Sequence, residues 1–274
     1  MIVCSSGNRI FVFNSHYNRR ILQDNDEDLI YSIEPLDYNR FFTAGLNGKI
    51  NLWRYDRICE TYIGHTACVC SLKILDSKLY SFGDENCLKI WDIETTICDT
   101  IEEESCVQNT LKAIDNNLLI YNLFNSKEIC LYDTRYRKVV RRFNTTGGIL
   151  WSNLILGSNS FCSGCDDGVV SSFDLRTIRP YYEARIDMPI NCITKNSNEY
   201  FIGTSNGQIL VSNILEIDLM EPLFHNDDVV CIDIDGDILF SSSNDNSLNI
   251  FDITLNKNLF EEQNDSVTFA FAKI

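Results

Sequence analysis

The chain reads as an all-β protein, a seven-bladed β-propeller of four-stranded blades, on three observations. One segment plan recurs seven times at nearly constant spacing, each recurrence is strand-like throughout, and a lone strand at the end of the chain matches a gap at its beginning. The plan is clearest in SGCDDGVVSSFDL, from Ser163 to Leu175, where a β-rich segment, a polar turn and an alternating segment end in an aromatic and an acid. The other units are VCSSGNRIFVFN, TAGLNGKINLWR, SFGDENCLKIWD, NLFNSKEICLYD, IGTSNGQILVSN and SSSNDNSLNIFD. The residue closing each alternating run falls at Phe13, Trp53, Trp91, Tyr132, Phe173, Ser212 and Phe251, so successive gaps are 40, 38, 41, 41, 39 and 39 residues.

Within each unit the period is two, as in KINLW, CLKIW and SLNIF, and helical periodicity is nearly absent. Asparagine, aspartate, glycine and serine separate the runs, and with only 4 prolines in the chain the abundant asparagine makes most of the breaks. Four short strands in about 40 residues is the arithmetic of a propeller blade. The first unit supplies only the second, third and fourth strands of a blade, in residues 1–23. The chain closes on VTFAFAKI, residues 267–274, an alternating segment with no partner of its own. Placed innermost in the first blade, it pairs every edge and closes the ring, whereas left alone it would be an aggregation-prone edge. The expectation is one domain over 1–274, its first blade built from 1–23 plus 265–274.

Composition narrows the function classes. The chain has 274 residues, 45% hydrophobic and 23% charged, which is globular composition. Its net charge of −16 repels nucleic-acid backbones and anionic lipid. No apolar run approaches the roughly 20 residues of a membrane span, and MIVCSSGNRIFVF lacks the pattern of a signal peptide. The 12 cysteines are scattered singly in apolar runs, as at Cys70, Cys130, Cys192 and Cys231, which suits reduced core thiols in the cytoplasm or nucleus. The CxxC pair, Cys162 and Cys165, lies in an alternating segment that sends its side chains to opposite faces, with no further pair or histidine nearby. No metal and no cofactor are expected.

At these residues the chain resembles the WD-repeat family, over its whole length. Gly64-His65 stands four residues before Val69, and Trp91-Asp92 closes that unit, which is the family's GH…WD signature. His225 repeats the spacing before Val229 and Phe251-Asp252, with Phe224 in place of glycine. The resemblance implies a hydrogen-bonded set inside a blade: His65, Ser81, Glu85 and Trp91 in the third unit, with glutamate where aspartate is usual. In the last unit His225, Ser241 and Asp245 match, but Phe251 cannot donate as an indole does. Serine, histidine and acid also invite a hydrolase reading, yet a triad needs an exposed nucleophile at an oxyanion hole, and these positions fall between strands. His16 lies in the turn FNSHYN with no ligand or nucleophile beside it. Walker loop, GxGxxG and HExxH signatures are absent, so no enzyme is expected.

Partners must therefore meet the rims. The strand order of the family places Asp24, Glu27, Asp28, Asp84, Glu102, Glu103, Asp166 and Asp227 around one face, with few bases, an attractive field for a basic protein surface. The same acids also suit turns that merely keep the ring soluble. On the opposite loops RYRKVVRR carries Arg135, Arg137 and Lys138, with Arg141 and Arg142 beyond, and Arg176 and Arg179 occupy the matching loop of the next unit. This patch suits an acidic partner; its bland reading is charge that discourages edge pairing. Tyr132-Asp133-Thr134-Arg135 and Phe173-Asp174-Leu175-Arg176 resemble the paired Asp-x-Arg box by which WD-repeat substrate receptors dock the adaptor of cullin–RING ubiquitin ligases. The expected function is a non-enzymatic scaffold or adaptor, a monomeric ring inside a multiprotein complex holding two or more proteins. A ligase substrate receptor and a ribosome-associated scaffold touching ribosomal RNA are the alternatives.

Overall fold

Hydrophobic alternation at the spacing above predicts strands with two distinct faces, and the strands form where predicted. A computed structural model describes residues 2–14, 19–23, 29–85, 87–102, 110–123, 126–197, 199–212, 217–264, 267 and 270–273. They form seven antiparallel sheets of four strands each. The innermost strands of blades 2 to 7 are Ile30–Asp37, Val69–Leu75, Lys112–Ala113, Leu150–Gly157, Ile190–Lys195 and Val229–Asp235, each followed outward by its three partners in chain order. Blade 1 is different. Its innermost strand is Ala270–Lys273, paired with Ile2–Ser6 in the register Val3 to Ala272 and Cys4 to Phe271, so the last strand of the chain closes the ring as the sequence predicts. Each innermost strand neighbours the next around a closed circle.

Among the described residues the core is seven apolar clusters, one between each pair of adjacent blades. This explains the period of the sequence. Phe13, Trp53, Trp91, Tyr132, Phe173 and Phe251 all lie on the third strand of their blades and point into the interface with the preceding blade. Ser212 is the exception, and its interface is filled instead by Cys162, Ile186, Ile190, Ile193, Ile202 and Leu210. Because blades stack face to face, both faces of the middle strands are covered. Ile50 and Leu52 face blade 3 while Trp53 faces blade 1. Polar positions of the alternation, such as Asn51 and Lys89, are buried as well, and Lys89 Nζ donates to Thr100 Oγ1 at 3.1 Å.

The two rims are set by backbone hydrogen bonds. On one, the hairpin between the second and third strands bonds the loop arriving from the preceding blade, as from Leu46 N to Leu29 O (3.0 Å), Asp84 N to Cys68 O (2.9 Å) and Asp166 N to Ile149 O (2.9 Å). On the other, the turn after the third strand bonds the turn after the first, as from Thr134 N to Asn117 O (2.9 Å) and Leu175 N to Asn159 O (2.8 Å). Glycine is required where the hairpin lies closest to the loop that leaves for the next blade. Gly168 has φ +82°, and a Cβ there would fall 1.8 Å from Ile186 O. Among the described residues no helix is long and apolar enough to cross a membrane.

Candidate functional site

The four residues that the repeat signature groups in blade 3 do meet. His65 arrives on the loop from blade 2, Ser81 and Trp91 lie on paired strands, and Glu85 sits in the hairpin turn between them. His65 Nε2 lies 2.6 Å from Ser81 Oγ, Nδ1 lies 2.5 Å from Glu85 Oε1, and Trp91 Nε1 donates to Ser81 Oγ at 2.8 Å. One assignment satisfies all three bonds: the indole and the Nδ1–H donate, and the serine hydroxyl donates to an unprotonated Nε2. The serine is thus enclosed by an indole and an imidazole, fully buried, with no room for a reacting carbonyl. The longer glutamate is accommodated by Gly83, where a Cβ would lie 2.1 Å from Glu85 Oε2.

Blade 7 reaches the same end by another path. His225 Nε2 lies 2.8 Å from Ser241 Oγ, as expected, but Asp245 Oδ1 is 3.8 Å from Nδ1. Ser247 stands between them, 2.6 Å from His225 Nδ1 and donating to Asp245 Oδ1 at 2.5 Å. Reading the sequence by family positions misses this relay, although a serine two residues after the turn acid is its visible signal. A further buried set, Asn122, Asn153 and Ser163 with the carbonyl of Thr110, joins blades 4 and 5. Its members are dispersed along the chain and carry no sequence signal.

Burial holds both imidazoles below the ordinary histidine range, against the opposing pull of Glu85 on His65 and Asp245 on His225. His65 and Glu85 therefore sit as a neutral ring donating to a carboxylate, which that bond keeps ionised against the effect of burial. An unfolded histidine titrates near 6.5, so both histidines contribute stability above that pH and lose it as the pH falls toward their folded values. We expect unfolding free energy to fall below pH 6.5 with a slope of up to about 1.4 kcal/mol per pH unit for each histidine. The His65→Gln/His225→Gln variant should show a flatter pH dependence in urea titrations. Equal slopes in the two proteins would contradict the assignment.

The central channel holds another polar group. Glu34, Lys73 and Lys112 occupy equivalent positions 39 residues apart on three successive inner strands, and with Ser32, Ser71 and Cys231 they line a cavity of about 250 Å³. No motif in the sequence points to these three residues. The constant spacing was the available signal, and only the ring makes neighbours of the three. Lys73 Nζ pairs with Glu34 Oε1 at 2.7 Å, and that oxygen also accepts the Ile74 N–H at 3.0 Å. Lys112 lines the same channel, where burial and then Lys73 hold its amine below the ordinary lysine range. Burial pushes the Cys231 thiol up to about 12, so it is protonated and a poor nucleophile.

Of the acids assigned to one rim, three can be placed with their side chains. Asp84, Asp166 and Asp227 lie on the rim of the second-to-third-strand hairpins, and burial followed by its neighbour Asp227 raises the Asp228 carboxyl. Asp166 Oδ1 is engaged by the Ile149 N–H at 2.7 Å. Asp24, Glu27, Asp28 and Glu103 fall outside the described residues, as does His16, and of Glu102 only the backbone is described. On the opposite rim Arg135 and Arg176 are held alike. Each guanidinium bonds the aspartate two residues before it through Nε and Nη2, at 3.0 and 2.6 Å to Asp133 and at 2.8 and 2.5 Å to Asp174. The arginine hydrogen bonds hold both carboxyls below the usual range, Asp174 at about 2. Both guanidinium groups remain in solvent, at 59% and 79% side-chain exposure.

The basic patch is smaller than its sequence suggests. Arg137 pairs with Asp99 of blade 3 at 2.5 Å, Arg142 with Glu128 at 2.8 Å, and Arg141 donates to Leu175 O in blade 5. Among the described residues Lys138 and Arg179 have no ion-pair partner. Exposed apolar side chains, which the charge pattern does not announce, complete the surface: Tyr136, Ile178, Tyr181 and Tyr182. Arg135 lies over the Tyr136 ring at 5.6 Å and Lys138 at 6.0 Å.

Comparison with known proteins agrees with this architecture. The family described as "WD domain, G-beta repeat" matches residues 222–252, the span holding His225, Ser241, Asp245 and Phe251. No curated protein matches. Among solved structures the chain is similar to the computationally designed Ika8 protein, with a TM-score of 0.72 and 16% identity, over 97% of this chain and 85% of that one. Some 1669 chains of known structure match, so the likeness fixes architecture and leaves the role to the surfaces. The chain is thus a β-propeller of seven blades built on one plan, and it carries a WD repeat at 222–252.

Proposed function

We propose that this ring is a non-enzymatic scaffold that holds two or more proteins in fixed geometry within a cytoplasmic or nuclear complex. WD-repeat propellers are generally protein-interaction scaffolds and generally non-enzymatic. The observation that carries the reading is the surface shared by blades 4 and 5, where two aspartate-pinned, exposed arginines stand among Tyr136, Ile178, Tyr181 and Tyr182. Arginine and tyrosine in one patch are what protein interfaces concentrate, and pinning removes side-chain entropy that binding would otherwise cost. The partner's contact is acidic or rich in carbonyl acceptors, because the free guanidinium N–H groups face solvent. The acidic rim is a separate site for a basic surface, favoured by the charge of −16.

The matched forks at Asp133/Arg135 and Asp174/Arg176 favour the ligase substrate-receptor reading as the second choice. The ribosomal alternative is weaker, since internal carboxylates neutralise Arg135, Arg137, Arg142 and Arg176 and little charge is left to displace counterions.

A native pulldown at physiological salt, with partners quantified by mass spectrometry, tests the proposal. The Arg135→Glu/Arg176→Glu variant should lose one subset of partners at least about 10-fold, as for hot-spot arginines, and keep the rest. Its melting temperature should move little, because exposed ion pairs contribute roughly 0–1 kcal/mol. Full retention of every partner would overturn the docking surface, and a lysate with no enriched partner would overturn the scaffold.

A further inference from the structure

Among the described residues, one group of metal-ligating side chains outside the hydrogen-bonded blade networks is gathered by the fold. Cys68 and Cys70 stand two residues apart where the loop from blade 2 enters the inner strand Val69–Leu75 of blade 3. The strand is irregular between Val69 and Ser71, at Cys70, and the two thiols come close together there. The hairpin turn of the same blade brings Asp84 over them. Its N–H donates to Cys68 O at 2.9 Å, and the Cys70 thiol donates to Asp84 Oδ1 at 2.7 Å. Two sulfurs and a carboxylate oxygen thus all lie within 4.8 Å of one another. The thiols are buried and the aspartate is exposed, so an ion from solvent meets the carboxylate first.

We propose that Cys68, Cys70 and Asp84 form a zinc-binding site whose fourth position is open to water. Two sulfurs select a borderline-soft ion over calcium or magnesium, and zinc takes mixed sulfur and oxygen ligands in the tetrahedral arrangement that three protein groups leave incomplete. Two thiolates and a carboxylate balance the ion's double positive charge with one negative charge to spare. The acidic rim on which the group sits raises the local cation concentration.

Neighbouring candidates lack one of these features. His65, Glu85 and Cys87 lie as close together, but both imidazole nitrogens and one glutamate oxygen are engaged in the blade 3 network. Cys162 and Cys165, the pair weighed from sequence, face blades 6 and 4 respectively, as alternation requires. Sequence reading assigns no metal because the carboxylate is 14 residues beyond Cys70 and reaches it only through the hairpin. A bound ion would tie the loop leaving blade 2 to the hairpin of blade 3, so its binding should raise the melting temperature by mass action.

Zinc and cobalt titrations of the metal-free full chain, under reducing conditions and read by native mass spectrometry and absorption, test the site. One zinc per chain is expected, and the cobalt form should show sulfur-to-metal charge transfer with the visible bands of a tetrahedral ion. Cys68→Ala/Cys70→Ala should weaken binding more than about 100-fold and abolish the charge-transfer band. Asp84→Asn should weaken it about 10-fold with the band retained. Cys162→Ala/Cys165→Ala should bind as the unaltered chain does. Absence of stoichiometric zinc, a cobalt spectrum without charge transfer, or unchanged binding in the double thiol variant overturns the proposal. If that variant fails to fold, Asp84→Asn decides, since its side chain is on the surface and unchanged affinity there is equally fatal.

Discussion

Deleting residues 267–274 should open the ring and abolish its cooperative stability. The deletion removes Ala270 and Ala272 from the cluster between blades 1 and 2, and Phe271 from the cluster between blades 7 and 1. It also strips the inner edge of Ile2–Ser6, leaving a run of unpaired N–H and C=O groups beside exposed apolar surface. Burying one phenylalanine is worth about 1.5–3 kcal/mol, and each backbone group left unpaired in a buried site costs about 1–3 kcal/mol. The total loss is therefore on the order of 5 kcal/mol or more, or about 10–20 °C at roughly 2–4 °C per kcal/mol. We expect the truncated chain to melt early and to elute as oligomers through edge pairing. A synthetic peptide of residues 265–274 should restore the monomer by adding the missing strand. An unchanged melting temperature and a monomeric profile would show that the ring does not depend on this closure.

Replacing Trp91 by alanine should be the most damaging single substitution. Its indole is 1% exposed, packs edge-on against Tyr62 with centroids 5.7 Å apart, and is the donor to Ser81. Gly64 exists to admit it, because a Cβ at that position would lie 2.8 Å from the ring. A buried tryptophan truncated to alanine costs about 3–5 kcal/mol. Removing the donor as well leaves the Ser81 oxygen short of a partner in a dry site, which adds about 1–3 kcal/mol. Trp91→Phe keeps most of the volume and loses only the bond, so it should cost about 1–2 kcal/mol. Blade 7, which already has Phe251 and no glycine before His225, shows that a phenylalanine is compatible with the plan. Urea titrations of both variants separate volume from hydrogen bonding. Losses below about 1 kcal/mol in both would mean that blade 3 does not rely on this packing.

Much of the architecture was legible because the constraint is periodic. A blade buries both faces only against its neighbours, so each repeat must present a large side chain at the same register, and Trp53, Trp91, Tyr132 and Phe173 mark that register along the chain. The blade 3 network was legible for a related reason. His65, Ser81, Glu85 and Trp91 lie within one repeat, where strand pairing fixes their separation. The basic patch was legible only as composition. Its sequence lists charges, but the ring spends Arg137 on Asp99 and Arg141 on Leu175 O, groups belonging to other blades.

The sequence by itself determined the strand pattern, the number of blades, the closing strand and the members of the third-blade network, because each follows from hydrophobic period and from spacing inside one repeat. Tertiary structure alone decided which arginines remain in solvent, that Ser247 relays between His225 and Asp245, that Glu34, Lys73 and Lys112 share a channel, and that Cys68 and Cys70 meet Asp84. Those outcomes depend on side-chain reach across turns and between blades. A difference of one bond length there changes which partner wins, and no periodicity in the chain records it.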